Sequence, residues 1–377
     1  MRFGTKAVHA GQEPDPQTGA VVPPIYLSTT FRQELPGKHK GYEYSRTKNP
    51  TRDQLEACIT SLEGGADTAC FSSGLSATSA LIQTLAPGDG IVAGYDLYGG
   101  TVRLFDRVYS RWGIEIAYAE GNELDAFELA LQRLKKPALI WIESPTNPLL
   151  SIVDISALSD LAHKYGAKLV VDNTFATPYL QTPLLLGADY VVHSSTKYLG
   201  GHSDVVGGAI TVRCPDDIVP IRFIQNAVGS VPSPFDCYML LRGIKTLHVR
   251  VERQCINAEK IVDFLVNHPK VKKVYYPGLF ANGDLVKKQM RHAGAMVTFE
   301  LDSDETVNRL CRNIKIITLA ESLGAVESLI CIPYYMTHAS LSENKKKQLS
   351  ITPTLVRLSV GIEEVDDLLN DLETALG

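Results

Sequence analysis

Asn147, Asp172 and Lys197 follow three consecutive apolar runs, and 25 residues separate each from the next. The runs are Ala138-Leu139-Ile140-Trp141-Ile142, Leu169-Val170-Val171 and Tyr190-Val191-Val192. Short unbroken apolar segments of this kind suit strands buried on both faces of a parallel sheet. In such a sheet ligands bind in the crevice at the carboxyl ends of the strands, where these three residues stand. A carboxylate at Asp172 is costly there unless something pairs with it. A lysine at 197 can serve as nucleophile and base if burial and cationic neighbours lower its pKa from about 10.4. Taken singly, each residue also has a plain structural explanation as a cap or salt-bridge partner. The three together are harder to account for in that way.

A second feature is the turn Ser72-Ser73-Gly74-Leu75-Ser76-Ala77, which leads into a helix. Small residues at a helix start leave backbone N–H groups open to a phosphate. Ser194-Ser195-Thr196-Lys197 adds hydroxyls beside the lysine. There is no GxGxxG and no GxxxxGK[ST], so neither a dinucleotide fold nor a P-loop is supported. A phosphate cradle, an Asp and a Lys on neighbouring strand ends match pyridoxal phosphate. The lysine would form the imine, and Asp172 would keep the pyridine nitrogen protonated and the ring an electron sink. At about 4 Å and an effective dielectric near 20, that charge pair is worth on the order of 4 kcal/mol.

The elements that must position these groups follow from patterning. Residues 1–50 hold Pro14, Pro16, Pro23, Pro24 and Pro36 among several glycines and read as an arm that lies on the body or on a second subunit. Residues 51–235 alternate between strand and helix, the pattern of an α/β domain with an open, mainly parallel sheet. Helices are expected over Thr51–Leu62, from the Ser72-Ser73-Gly74 turn to Leu85, and along a face marked by Val102, Phe105, Val108 and Trp112. Asp154 is expected to cap a further helix. Residues 236–377 form a smaller α+β domain. It opens with a long helical stretch from Phe235 to about Asn267, has a strand over Met296–Leu301 and a polar loop over Ser342–Lys347, and ends in an acidic helix near Val365–Leu376.

The 377 residues are 45% hydrophobic and 21% charged, with a net charge of −5. That composition excludes a disordered chain and gives no electrostatic footprint for nucleic acid or an anionic membrane. No run approaches the roughly 18 apolar residues of a membrane span. Seven scattered cysteines without a C-x-x-C pair, and a polar N-terminus, lead us to expect a cytoplasmic protein with free thiols. His193 and His202 flank the lysine but lack a third ligand at metal spacing, so no metal site is expected. The Lys345-Lys346-Lys347 run is expected to be solvated surface.

An ordered set of motifs resembles the Cys/Met-metabolism family of pyridoxal-phosphate enzymes over nearly the whole chain. The carriers are Tyr42-Glu43-Tyr44-Ser45-Arg46 with Asn49-Pro50-Thr51-Arg52, Ser72-Ser73-Gly74, Asp96-Leu97-Tyr98-Gly99-Gly100-Thr101 and Glu143-Ser144-Pro145-Thr146-Asn147-Pro148. Further along come Val171-Asp172-Asn173-Thr174, His193 to Tyr198 with Gly201-His202, Glu321-Ser322-Leu323-Gly324 and Val356 to Gly361. The resemblance implies the fold-type-I architecture of aspartate aminotransferase. It implies Lys197 as the imine-forming lysine, Asp172 on the pyridine nitrogen, Tyr98 stacked on the ring and Asn147 near the phenolic oxygen. Gly74, Leu75, Ser194 and Thr196 would hold the phosphate, with Tyr44 and Arg46 reaching across from a neighbouring subunit of a homotetramer built as a dimer of dimers. Arg357 would clamp the substrate α-carboxylate, a bidentate task suited to guanidinium, and Ser322 would position Lys197 or that carboxylate.

Among the family's reactions, Gly100 stands where methionine γ-lyases typically carry Cys, which lowers that option. Glu321 and the stretch Ser230 to Tyr238 resemble the γ-lyase and γ-synthase members, where the glutamate can pair with the distal ammonium of cystathionine. The expectation is cystathionine γ-lyase, acting on L-cystathionine. The alternatives are γ-synthase, acting on an activated homoserine plus cysteine, and then β-lyase. A remote alternative of another class is a serine acyl enzyme, because Ser194-Ser195-Thr196-Lys197 also spells S-x-x-K. Its companion motifs fail, since Val205 follows Ser203-Asp204 and Leu247 follows Lys245-Thr246.

Overall fold

The computed structural model describes residues 1–280, 283–339 and 341–377. Helix α1 (Phe3–His9) precedes an extended segment, and α2 (Pro50–Glu63) opens the alternating region. Asn49 starts α2 by accepting the N–H groups of Thr51 and Arg52, Pro50 occupies its first turn, and Gly64 ends it in a left-handed conformation. Then follow β1 (Asp67–Phe71), α3 (Gly74–Ile82), β2 (Gly90–Ala93), α4 (Gly99–Arg107), β3 (Glu115–Tyr118), α5 (Leu124–Arg133), β4 (Pro137–Glu143), α6 (Ile155–Lys164), β5 (Lys168–Asp172), β6 (Tyr190–His193) and β7 (Gly208–Val212). These strands make one sheet in the order β1-β7-β6-β5-β4-β2-β3. It is parallel except that β7 runs antiparallel to both of its neighbours.

The apolar runs are buried on both faces. On β4, Leu139 and Trp141 pack toward the α3 and α4 side with Phe105, and Val170 of β5 joins them. Ile140, Ile142, Leu169 and Val171 pack on the other side against Phe127 of α5 and Leu158 of α6. Each such side chain contributes about 1.5–3 kcal/mol by leaving water. Covering both faces leaves only the strand ends open, and the site lies there.

The rest of the chain carries a second sheet: β8 (Val271–Tyr275), β9 (Met296–Leu301), β10 (Thr318–Leu319), β11 (Leu329–Cys331) and β12 (Leu355–Ser359), in the order β10-β11-β12-β9-β8. Helices Leu247–Asn267 and Val365–Leu376 cover it.

Several local expectations are corrected. The expected helix 235–267 is two helices, Pro234–Ile244 and Leu247–Asn267, separated at Lys245-Thr246. Helix α3 stops at Ile82 rather than Leu85, and α4 stops at Arg107, so Trp112 falls in a separate 3-10 turn and is 60% exposed. Segment 342–347 is helical from Glu343, because Ser342 caps it by accepting the Lys345 N–H. Lys346 is not solvated surface: it is 5% exposed, with its ammonium 4.1 Å from the Tyr334 ring centre. The first turns of the arm are folded on the body, with Ala7 fully buried beside Leu55 and Val251. Among the described residues no helix is long and apolar enough to cross a membrane.

Candidate active site

Asp172 is the last residue of β5, and its Oδ1 accepts the Thr174 N–H at 3.0 Å. The Thr174 hydroxyl accepts the Ser194 N–H at 2.9 Å, which ties the turn after β5 to the turn after β6. That second turn is closed by Lys197 N–H on the Ser194 carbonyl and by Gly201 N–H on the Lys197 carbonyl. Lys197 is thereby presented at the strand ends, and its Nζ donates to Ser322 Oγ at 2.9 Å. Burial, reinforced by the Arg357 charge and partly offset by Glu321, lowers the lysine pKa to about 8.

Arg357 comes from β12 of the small sheet and is 2% exposed. Its Nη1 donates to Asn147 Oδ1 at 2.8 Å and its Nη2 to the Ser322 carbonyl at 3.2 Å. Its Nε has no hydrogen-bond partner among the described residues. The remaining N–H groups of a buried guanidinium call for an acceptor, which a carboxylate provides.

One pocket, partly open to solvent, gathers Tyr98, Asn147, Asp172, Ser194, Lys197, Glu321, Ser322 and Arg357. Those eight sequence candidates therefore meet. Gly74 adjoins Ser194 of this pocket so closely that a Cβ would come within 2.9 Å of Ser194 Cβ. The first N–H groups of α3, at Gly74 and Leu75, begin the helix beside Ser194. Ser73 caps this helix through the Ser76 N–H. The Thr196 hydroxyl accepts the Gly207 N–H at 3.0 Å, so it is already engaged with the loop before β7. Tyr44 and Arg46 stand apart from this pocket. Both are exposed, with the Arg46 guanidinium 5.6 Å from the Tyr44 ring centre and bonded to the Asn226 side chain.

The pocket also holds residues to which the sequence reading gave no role: Glu143, Thr174, Phe175 and Thr337. Glu143 could have been found, since it ends an apolar strand as Asp172 does. Nothing local marks Thr337, which arrives from a loop of the second sheet. His193 is bonded to the buried Glu63, and Asn173 also donates to Glu63. His202 Nδ1 meets the Gly200 carbonyl. The S-x-x-K arrangement is not formed, because Lys197 Nζ is held by Ser322 rather than by Ser194.

These residues fit pyridoxal phosphate: a helix start that admits no side chain where a phosphate needs N–H groups, a carboxylate at a strand end, and a desolvated lysine between them. Fold and pocket together define a fold-type-I enzyme of that cofactor. The family model for Cys/Met-metabolism PLP-dependent enzymes matches residues 4–377, and the chain belongs to this family. Cystathionine β-lyase of Coxiella burnetii is 46% identical over 377 residues, 99% of this chain and 97% of that protein. Cystathionine γ-synthase of Mycobacterium bovis is 49% identical over 378 residues, 99% of this chain and 96% of that protein. The solved structure of cystathionine γ-lyase from Lactobacillus plantarum, complexed with L-serine, superposes with a TM-score of 0.96 at 44% identity, covering 100% of this chain and 98% of that one. Relatives named for three different reactions thus share nearly half their residues with this chain. Overall similarity defines a trans-sulfuration enzyme without choosing the reaction.

Proposed function

We propose that this enzyme eliminates the γ-substituent of L-cystathionine, giving, with one water, cysteine, 2-oxobutyrate and ammonia. The observation that carries this reading is the placement of Glu321 on the same pocket as Lys197 and Arg357. Cystathionine is an amino acid at both ends. A guanidinium for one carboxylate and an exposed carboxylate for the distal ammonium match it along its length.

Pyridoxal phosphate, when bound, supplies the electron sink that acidifies the substrate Cα–H. Lys197 and Asp172 would hold it, with Tyr98 against its ring, Asn147 at its phenolic oxygen, and Gly74, Leu75, Ser194 and Thr196 at its phosphate. Arg357 orients the substrate by its α-carboxylate. The Lys197 amine takes the proton from Cα and then serves the Cβ proton, whose removal allows the thiol to leave Cγ. Tyr98 protonates the departing sulfur. Ser322 aims the lysine at that face. Tyr44 and Arg46 would complete the phosphate site of a neighbouring subunit in a homotetramer. Their exposure and their distance from their own pocket support this role, and partial activity regained on mixing Arg46→Ala with Lys197→Ala subunits tests it.

The deciding experiment is mass-spectrometric identification of the keto acid formed from L-cystathionine by the PLP-loaded protein. 2-Oxobutyrate with cysteine is the expected result. Pyruvate with homocysteine would make the enzyme a β-lyase. No keto acid, with cystathionine formed from an O-acyl homoserine and cysteine, would make it a γ-synthase.

A further inference from the structure

Glu143 ends β4 and Asp172 ends β5, and the two are direct register partners in a parallel pair. They follow Trp141 and Val170, which share one face of the sheet, so both carboxyls point to that face. Both line the pocket, and Glu143 is only 6% exposed. Neighbouring strands lie about 4.8 Å apart, and two recessed carboxylates at that spacing do not both ionise cheaply.

The surroundings decide which one keeps the proton. Asp172 accepts the Thr174 N–H and lies near His193, which is one residue past its β6 partner Val192 and is itself bonded to Glu63. Glu143 Oε1 accepts the Tyr98 N–H at 2.6 Å and the Asn147 N–H also favours its ionised form, yet the titratable groups acting on it are both acids, Asp172 and the buried Asp96, itself pushed up to about 7 by burial. The cations of the pocket are engaged elsewhere, Lys197 with Ser322 and Arg357 with Asn147 and the Ser322 carbonyl. Glu321, the other acid of the pocket, does not relieve Glu143. Burial raises both carboxyls; at Asp172 the Thr174 bonds and His193 oppose the rise, whereas at Glu143 the two neighbouring carboxyls add to it and push it well above the usual carboxylate range.

We infer that Glu143 is a positioning residue that holds the proton of the Glu143–Asp172 pair: as a neutral acid it anchors the backbone of Tyr98 and leaves Asp172 as the ionised member. This rests on the assignment of Asp172 and Tyr98 to the cofactor. A neutral carboxyl accepts through its carbonyl oxygen and donates through its hydroxyl, and a glutamine amide does the same without charge.

Infrared spectra of the cofactor-free protein at pH 7, in H₂O and D₂O, test the inference directly. The wild-type minus Glu143→Gln difference spectrum is expected to hold a protonated-carboxyl component that shifts on deuteration, over the band that the buried Asp96, pushed up to about 7, supplies to both proteins. In the loaded enzyme, Glu143→Gln keeps kcat/KM within about threefold and leaves the pH midpoint of the cofactor's absorption in place. Glu143→Ala, which loses the Tyr98 anchor, lowers kcat/KM about tenfold. A difference spectrum without that component would overturn the inference, as would a pH midpoint displaced by a full unit in that variant. The infrared arm needs no cofactor. If Asp172→Asn left the cofactor's spectrum and titration unchanged, the assignment of Asp172 would fail while the proton on Glu143 was still decided.

Discussion

Arg357 Nη1 donates to Asn147 Oδ1 at 2.8 Å, a bond between residues 210 positions apart that joins β12 of the small sheet to the loop after β4 of the large one. The guanidinium plane is thereby set before substrate arrives, and its charge adds to burial in lowering the Lys197 pKa. The pocket works as a unit because both sheets hold it.

Arg357→Lys removes the planar fork and keeps the charge. Loss of a charge-assisted hydrogen bond is worth about 1.5–3 kcal/mol, so KM for cystathionine should rise about 10- to 100-fold. Steady-state kinetics should show kcat less affected than KM, with cofactor absorbance unchanged.

Lys197 shapes the pH dependence. Its folded pKa of about 8 lies below the ordinary lysine value of 10.5, so the nucleophilic amine appears as pH rises through about 8. Uptake of pyridoxal phosphate by the cofactor-free protein should accelerate over that range, followed by absorbance. Arg357→Met removes a neighbouring positive charge and should move the midpoint upward. The same shift bears on stability. Between about 8 and 10.5 the unfolded chain still holds a lysine proton that the folded chain has shed, so stability should gain with pH in that window. Urea unfolding should show the gain in the wild type and its loss in Lys197→Met.

Ser322 has φ of 85°, the left-handed region, while its hydroxyl receives the Lys197 ammonium. Ser322→Gly relieves about 1 kcal/mol of backbone strain and loses the hydroxyl, whereas Ser322→Ala loses the hydroxyl and keeps the strain. Both should lower kcat several-fold. Thermal melts should place the glycine variant above the alanine variant.

The phosphate cradle tolerates no added atom at Gly208. A Cβ there would lie 2.1 Å from the Ser73 carbonyl oxygen and 2.8 Å from the Gly74 nitrogen. Both are backbone atoms, so no rotamer change relieves the clash. Gly208→Ala should cost about 1–3 kcal/mol, lower the melting temperature of the cofactor-free protein by several degrees, and weaken cofactor binding more than tenfold in a titration.

Much of this site was legible in the chain because strand ends are local facts. An apolar run that stops at a polar residue places Asp172 and Lys197 at one edge of a sheet without knowledge of strand order. The cap of α6 was equally local, since Asp154 bonds to an N–H three residues ahead. Reaction choice was less legible, because relatives under three names share the same framework.

The third dimension decided what depends on partners far apart in sequence. Thr337 and Arg357 reach the pocket only because the small sheet packs over the strand ends, and no spacing rule spans 210 residues. Lys346 is buried because Tyr334 lies beside it, which a run of three lysines conceals. Glu143 shows the division most clearly. Its place at the end of β4 is written in the apolar run before it. Its elevated pKa comes from burial and then from Asp172 on the neighbouring strand, and both burial and strand pairing exist only in the fold.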